Sequence, residues 1–77
     1  SPDVLINSLP ADLKRLSSHN NIVRHAEKAV RKQGAKVVLF QFDEDTKRVH
    51  EELEKLKKKG IRTYYFFTGK EKKIRTL

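Results

Sequence analysis

The 77-residue sequence contains neither cysteine nor methionine. Without cysteine the chain can form no disulfide and no thiolate metal site, so any bound metal must take oxygen or histidine ligands. There is no initiator methionine, and the chain begins almost directly on a strand-like segment. We therefore expect residues 1–77 to be one domain excised from a longer polypeptide.

Long hydrophobic runs are also absent. The longest, residues 36–40 and 64–67, are far shorter than the roughly 20 residues that span a bilayer. No signal-peptide pattern opens the chain, and we expect a soluble domain without a membrane span. Only 36% of the residues are hydrophobic, but they fall in ordered blocks, which predicts a folded chain with a small core.

Acidic residues are few relative to basic ones. Ten Asp and Glu residues stand against 18 Lys and Arg residues, which gives a net charge of +8. Such a balance favours a polyanionic partner, either nucleic acid or an acidic protein, and charge alone does not choose between them.

The first half of the chain predicts a hairpin and a helix. Residues 4–6 are apolar and β-prone, and residues 10–16 alternate polar and apolar side chains, which is typical of paired strands. A helix should follow, with its N-cap among residues 17–21 and its end at Gly34. Its apolar positions recur at helical spacing: Ile22, Ala26, Ala29 and Val30.

The second half predicts a strand, a helix and two further strands. Residues 36–42 form a continuous apolar block, typical of a central strand covered on both faces. Residues 43–45 should supply the cap and acidic first turn of a second helix that ends near Gly60. Strands are expected at residues 61–67 and 72–77. The predicted fold class is α/β, a mixed sheet with helices in the order ββαβαββ.

An acid-x-Lys pattern points to phosphodiester chemistry. It occurs three times, but only Asp12 and Lys14 lie on a predicted strand, where residues i and i+2 point to the same side. Asp3, on the paired strand, can bring a second carboxylate to them. Carboxylates are the ligands that Mg²⁺ prefers, and a nearby cation can act on the attacking water.

Residues 2–8 followed by residues 11–14 resemble the PD-(D/E)XK, or restriction-endonuclease-like, nuclease superfamily. Within it they are most similar to the C-terminal tRNase toxin domains of contact-dependent growth inhibition proteins and other polymorphic bacterial toxins. The resemblance covers nearly the whole chain. It implies a restriction-endonuclease-like core that here lacks the first helix and strand of that fold.

The resemblance also implies a set of roles. Asp3 and Asp12, with the backbone carbonyl of Leu13, would hold a divalent metal, Mg²⁺ first and Mn²⁺ or Zn²⁺ as alternatives. Lys14 would orient the attacking water and stabilise the phosphate. The implied protein is a metal-dependent ribonuclease toxin acting on tRNA in the target-cell cytoplasm. It would be the C-terminal part of a secreted or cell-surface bacterial protein, neutralised by an acidic immunity protein. The alternatives are a DNA endonuclease and a non-catalytic nucleic-acid-binding module.

Further candidates for nucleic-acid binding lie around the first predicted helix. A helix N-terminus can bind phosphate, and a basic stripe recurs along the same helix. The candidates are His19, Asn21, Arg24, Lys28, Arg31 and Gln33. The alternative makes them a cap and a solvated helix face, and His25 is a weaker candidate. The aromatic residues 64–67 favour a core role over base stacking.

Overall fold

The computed structural model describes residues 4–6, 8–17, 20–69 and 73–77. The described residues form five strands and two helices in the order ββαβαββ, which confirms the prediction. The elements are β1 (Val4–Ile6), β2 (Leu9–Leu16), α1 (Ile22–Gln33), β3 (Val37–Phe42), α2 (Lys47–Lys58), β4 (Thr63–Phe67) and β5 (Arg75–Thr76).

The strands form one mixed sheet in the order β1-β2-β3-β4-β5. The hairpin β1–β2 and the terminal pair β4–β5 are antiparallel, whereas β2–β3 and β3–β4 are parallel. Each parallel pair is joined by one helix, as parallel connections require. The α/β class with a mixed sheet is therefore confirmed.

Both helices pack on one face of this sheet. Alternate residues of β3 and β4 face them, because side chains along a strand point in turn to opposite sides. The buried cluster joins α1, α2 and the sheet through Ile22, Ala26, Ala29, Val49, Leu53, Leu56, Val38, Phe40, Phe42, Tyr65 and Phe67. Tyr65 and Phe67 thus have the core role that the sequence favours.

Residues 36–42 were expected to form a central strand covered on both faces, but in the described structure both helices lie on one face of β3. The side chains of this strand alternate between the two faces: Val38 and Phe40 face the helices, whereas Val37 and Leu39 lie on the opposite face. Successive crossovers that share one handedness and advance across the sheet in one direction place their helices on the same side. Val37 and Leu39 are nevertheless buried, at 0% and 7% exposed.

The helix ends agree only in part with the sequence. Gly34 ends α1 with φ of 68°, as predicted, and Asn21 is the N-cap, although its side chain makes no capping hydrogen bond. The cap and acidic first turn predicted from residues 43–45 are wrong, since Thr46 caps α2 by accepting a hydrogen bond from the Val49 N–H at 3.2 Å. The last strand is shorter than predicted, and residues 70–72 lie outside the described part of the chain.

Candidate functional site

Asp12 and Lys14 lie side by side on β2. In the parallel ladder Asp12 pairs with Val38 and Lys14 pairs with Phe40, so both side chains share the helix-covered face. Asp12 is only 3% exposed, while the Lys14 side chain retains 20% of its exposure. The two charges meet, with Lys14 Nζ 3.0 Å from Asp12 Oδ2. The juxtaposition expected from period-two spacing is present.

The Asp12 carboxylate is electrostatically compensated but not fully satisfied. Its Oδ2 is buried and has no hydrogen-bond partner among the described residues, although Lys14 Nζ is 3.0 Å away. The ammonium therefore approaches Oδ2 in a direction that is unsuited to a hydrogen bond. A buried carboxylate oxygen without a donor is costly, so this oxygen is suited to accept a further ligand.

The other metal ligands implied by the resemblance are described only in part. Asp3 lies outside the described residues; Val4, which follows it in the chain, pairs with Ala11, which precedes Asp12. Leu13 lies in the β2–β3 ladder opposite Leu39. No group of three His, Cys, Asp or Glu residues that could hold a metal occurs in the described ranges. Mg²⁺ keeps several waters and needs only one or two carboxylates, so Asp12 fits a site of that kind.

A basic cavity of about 270 Å³ lies along the first two turns of α1, lined by Asn21, Arg24, His25 and Lys28. Arg24 and Lys28 are exposed, and His25 beside them is half-buried. Burial lowers the pKa of His25 below 6.5, and the charges of Lys14, Lys28 and Arg24 lower it further. The charge of Lys14 links this cavity electrostatically to the pair on β2.

Comparison with known proteins identifies the family. A profile of the contact-dependent growth inhibition CdiA C-terminal domain matches residues 1–73. The chain belongs to this family. The CdiA C-terminal domain is the toxin module of a secreted cell-surface protein that delivers it into target cells, and such toxins pair with immunity proteins. The searches of curated proteins and of solved structures returned no match.

The toxin resemblance is therefore confirmed for this CdiA C-terminal domain, while its PD-(D/E)XK assignment stays a prediction.

Among its described residues, neither helix has the length and apolar character needed to cross a membrane.

The structure brings together half of the predicted nucleic-acid-binding residues. Asn21, Arg24 and Lys28 line the cavity, whereas Arg31 is exposed in the last turn of α1 and does not line it. His19 and the side chain of Gln33 lie outside the description. His25, the weaker candidate, also lines the cavity. Its spacing from Asn21 and Lys28, four and three residues, already indicates one helix face.

Proposed function

We propose that this CdiA C-terminal domain is a metal-dependent ribonuclease toxin that hydrolyses phosphodiester bonds in tRNA through a PD-(D/E)XK-type site. One observation carries the proposal: a buried carboxylate oxygen of Asp12, which accepts no hydrogen bond from any described residue, lies 3.0 Å from the Lys14 ammonium. Charged groups held in partly unsatisfied buried positions are characteristic of functional sites. The choice of tRNA rests on the family resemblance alone.

In this proposal Asp12, Asp3 and the Leu13 carbonyl would hold the divalent metal. When bound, the metal lowers the pKa of a coordinated water and neutralises charge on the phosphate. Lys14 has three N–H donors, which can bind the attacking water and a non-bridging phosphate oxygen. Asp12 thus has a second task, because its carboxylate holds the Lys14 ammonium in place.

The basic cavity of α1 serves substrate binding in the same scheme. Arg24 and Lys28 contact phosphates of the strand that flank the cleaved bond, and they do so without reading the base sequence. Arg31 extends this contact along the exposed face of the helix. DNA offers the same phosphates, so the experiment must distinguish a ribonuclease from a DNA endonuclease.

The test is cleavage by the purified domain of total tRNA and of plasmid DNA, each with Mg²⁺ or with EDTA. We expect tRNA cleavage in Mg²⁺ only, and a rate reduced by about 100-fold or more in Asp12→Asn and Lys14→Ala, as for other lost transition-state contacts. Asp3→Asn should behave likewise. Cleavage of plasmid alone would favour the DNA enzyme.

The second acid-x-Lys pattern, formed by Asp45 and Lys47, provides the matched control. Lys47 follows Asp45 by the same spacing, but it is an exposed residue at the first position of α2. Lys47→Ala should therefore retain the parental rate. Salt-sensitive nucleic-acid binding without cleavage at any metal concentration would instead identify a binding module. A purified cognate immunity protein of acidic character should block cleavage in the parent.

A further inference from the structure

The cavity on α1 is rich in positive charge that no described residue neutralises. Arg24 and Lys28 form no ion pair within the described ranges, whereas Lys55 and Lys59 do, with Glu52 and Glu27 at 2.6 and 3.4 Å. The absence of a counter-charge therefore does not reflect a general lack of acids near the helices. A concave, cationic surface of this kind attracts an anion.

His25 lies in this cavity under the influence of three cations. Lys14 acts on it from β2, and Arg24 and Lys28 act from its own helix; no acid within the described ranges is among the charges that act on it. These influences and partial burial favour the neutral imidazole, which has one N–H donor and one acceptor nitrogen. An anion in the cavity would relieve the repulsion and accept that donor.

We propose that the α1 cavity is a phosphate subsite for the nucleotide next to the cleaved bond, and that His25 is its central contact residue. A phosphodiester brings one negative charge, and Arg24 and Lys28 bind it beside the imidazole. The electrostatic influence of Lys14 on His25 places the subsite near the lysine that acts on the neighbouring phosphate. The identification of the anion as a phosphodiester rests on the proposed nuclease function. The expectation that the cavity binds an anion does not depend on it.

The test records the ring NMR signals of His25 and His50 in EDTA, where no metal-dependent cleavage occurs. His50 is an internal control, because it lies on α2 and its Nε2 is 2.6 Å from Asp45 Oδ1. The probes are inorganic phosphate and a single-stranded RNA hexanucleotide. We expect saturable shifts of the His25 signal with both probes and an upward shift of its pKa, with His50 unchanged.

Two exposed lysines of α1 form a matched pair of variants. Lys28 lines the cavity, whereas Lys32, one turn further, does not. Lys28→Ala should weaken hexanucleotide binding at His25 by about fivefold to tenfold, in the range for a lost phosphate contact, and Lys32→Ala by less than about twofold. Equal effects of the two variants, or a His25 response no larger than that of His50, would overturn the inference.

The two probes distinguish a nucleic-acid phosphate from free phosphate as the bound anion. They also distinguish failure of the subsite from failure of the proposed nuclease function. A response to inorganic phosphate without one to the hexanucleotide overturns the nucleic-acid subsite and indicates a free-phosphate site. A response to the hexanucleotide in a domain that cleaves nothing retains the subsite and rejects the nuclease. In an active domain, His25→Gln should raise KM about tenfold and leave kcat within a few-fold, the pattern of lost ground-state binding.

Discussion

Asp12 and Lys14 form an ion pair with an Nζ–Oδ2 distance of 3.0 Å on the helix-covered face of β2, yet the carboxylate oxygen has no hydrogen bond among the described residues. Taking such a charge out of water is expensive, and the attraction of one partner repays the cost only when the geometry is good. The pair is therefore better suited to function than to stability.

Neutralising Asp12 should separate stability from activity. We expect Asp12→Asn to leave the free energy of unfolding unchanged or to raise it by about 1 kcal/mol, because the buried charge is removed and Lys14 can still reach solvent. Cleavage in the same variant should be lost. Urea denaturation followed by circular dichroism measures the first effect, and a loss of more than about 2 kcal/mol would contradict it.

The lowered pKa of His25 predicts a pH dependence of stability. In the unfolded chain this histidine gains its proton near pH 6.5, whereas burial and then the charges of Lys14, Lys28 and Arg24 delay protonation of the folded state. The unfolded state thus binds more protons below pH 6.5, and the free energy of unfolding falls as the pH drops from there through the folded pKa. His25→Gln should flatten this part of the profile. An NMR titration giving His25 a pKa at or above 6.5 would show the prediction to be wrong.

The cap of α2 depends on one hydroxyl group. Thr46 Oγ1 accepts the Val49 N–H at 3.2 Å. Removing this acceptor in Thr46→Ala should cost about 1 kcal/mol, whereas Thr46→Ser keeps it and should cost much less. Thermal unfolding of the two variants provides the comparison, with a difference of about 4–8 °C expected for a domain of this size. Similar melting temperatures would mean that the cap contributes nothing.

The core is small enough that one truncation should unfold much of the population. Leu53 of α2 is 1% exposed, and Leu53→Ala should cost about 2–5 kcal/mol. That is a large share of the total stability expected for a short chain, at roughly 0.05–0.15 kcal/mol per residue. Leu5, which is 70% exposed on β1, is the matched control, and Leu5→Ala should change stability by less than about 0.5 kcal/mol. Chemical denaturation of both variants tests the contrast.

Local patterns were sufficient for the order of the elements and for the shared face of Asp12 and Lys14. Both follow from residue spacing and from end signals such as Gly34, which act within a few residues. The face covered by the helices was not predictable in the same way, because Val37 and Val38 are equally apolar and only the direction of the crossovers distinguishes them.

Another error also arises from tertiary partners. Asp45 was expected in the first turn of α2. Instead its Oδ1 lies 2.6 Å from His50 Nε2, and its Oδ2 lies 4.0 Å from Nη1 of Arg75, a residue of β5 that is 30 positions away. The environment of His25 likewise includes the charge of Lys14 from another element. Interactions of this range have no local sequence signature.

The sheet order has a consequence for how the chain reaches its native state. Every strand of the described sheet hydrogen-bonds to the strand that precedes or follows it in sequence, from β1 to β5. No described strand needs a partner beyond its neighbour in sequence, although the parallel pairings join residues as far apart as Ala11 and Val37. The sheet can grow outward from any adjacent pair of strands. A module that acts in a cell other than the one that made it benefits from a fold assembled by such neighbour-to-neighbour steps.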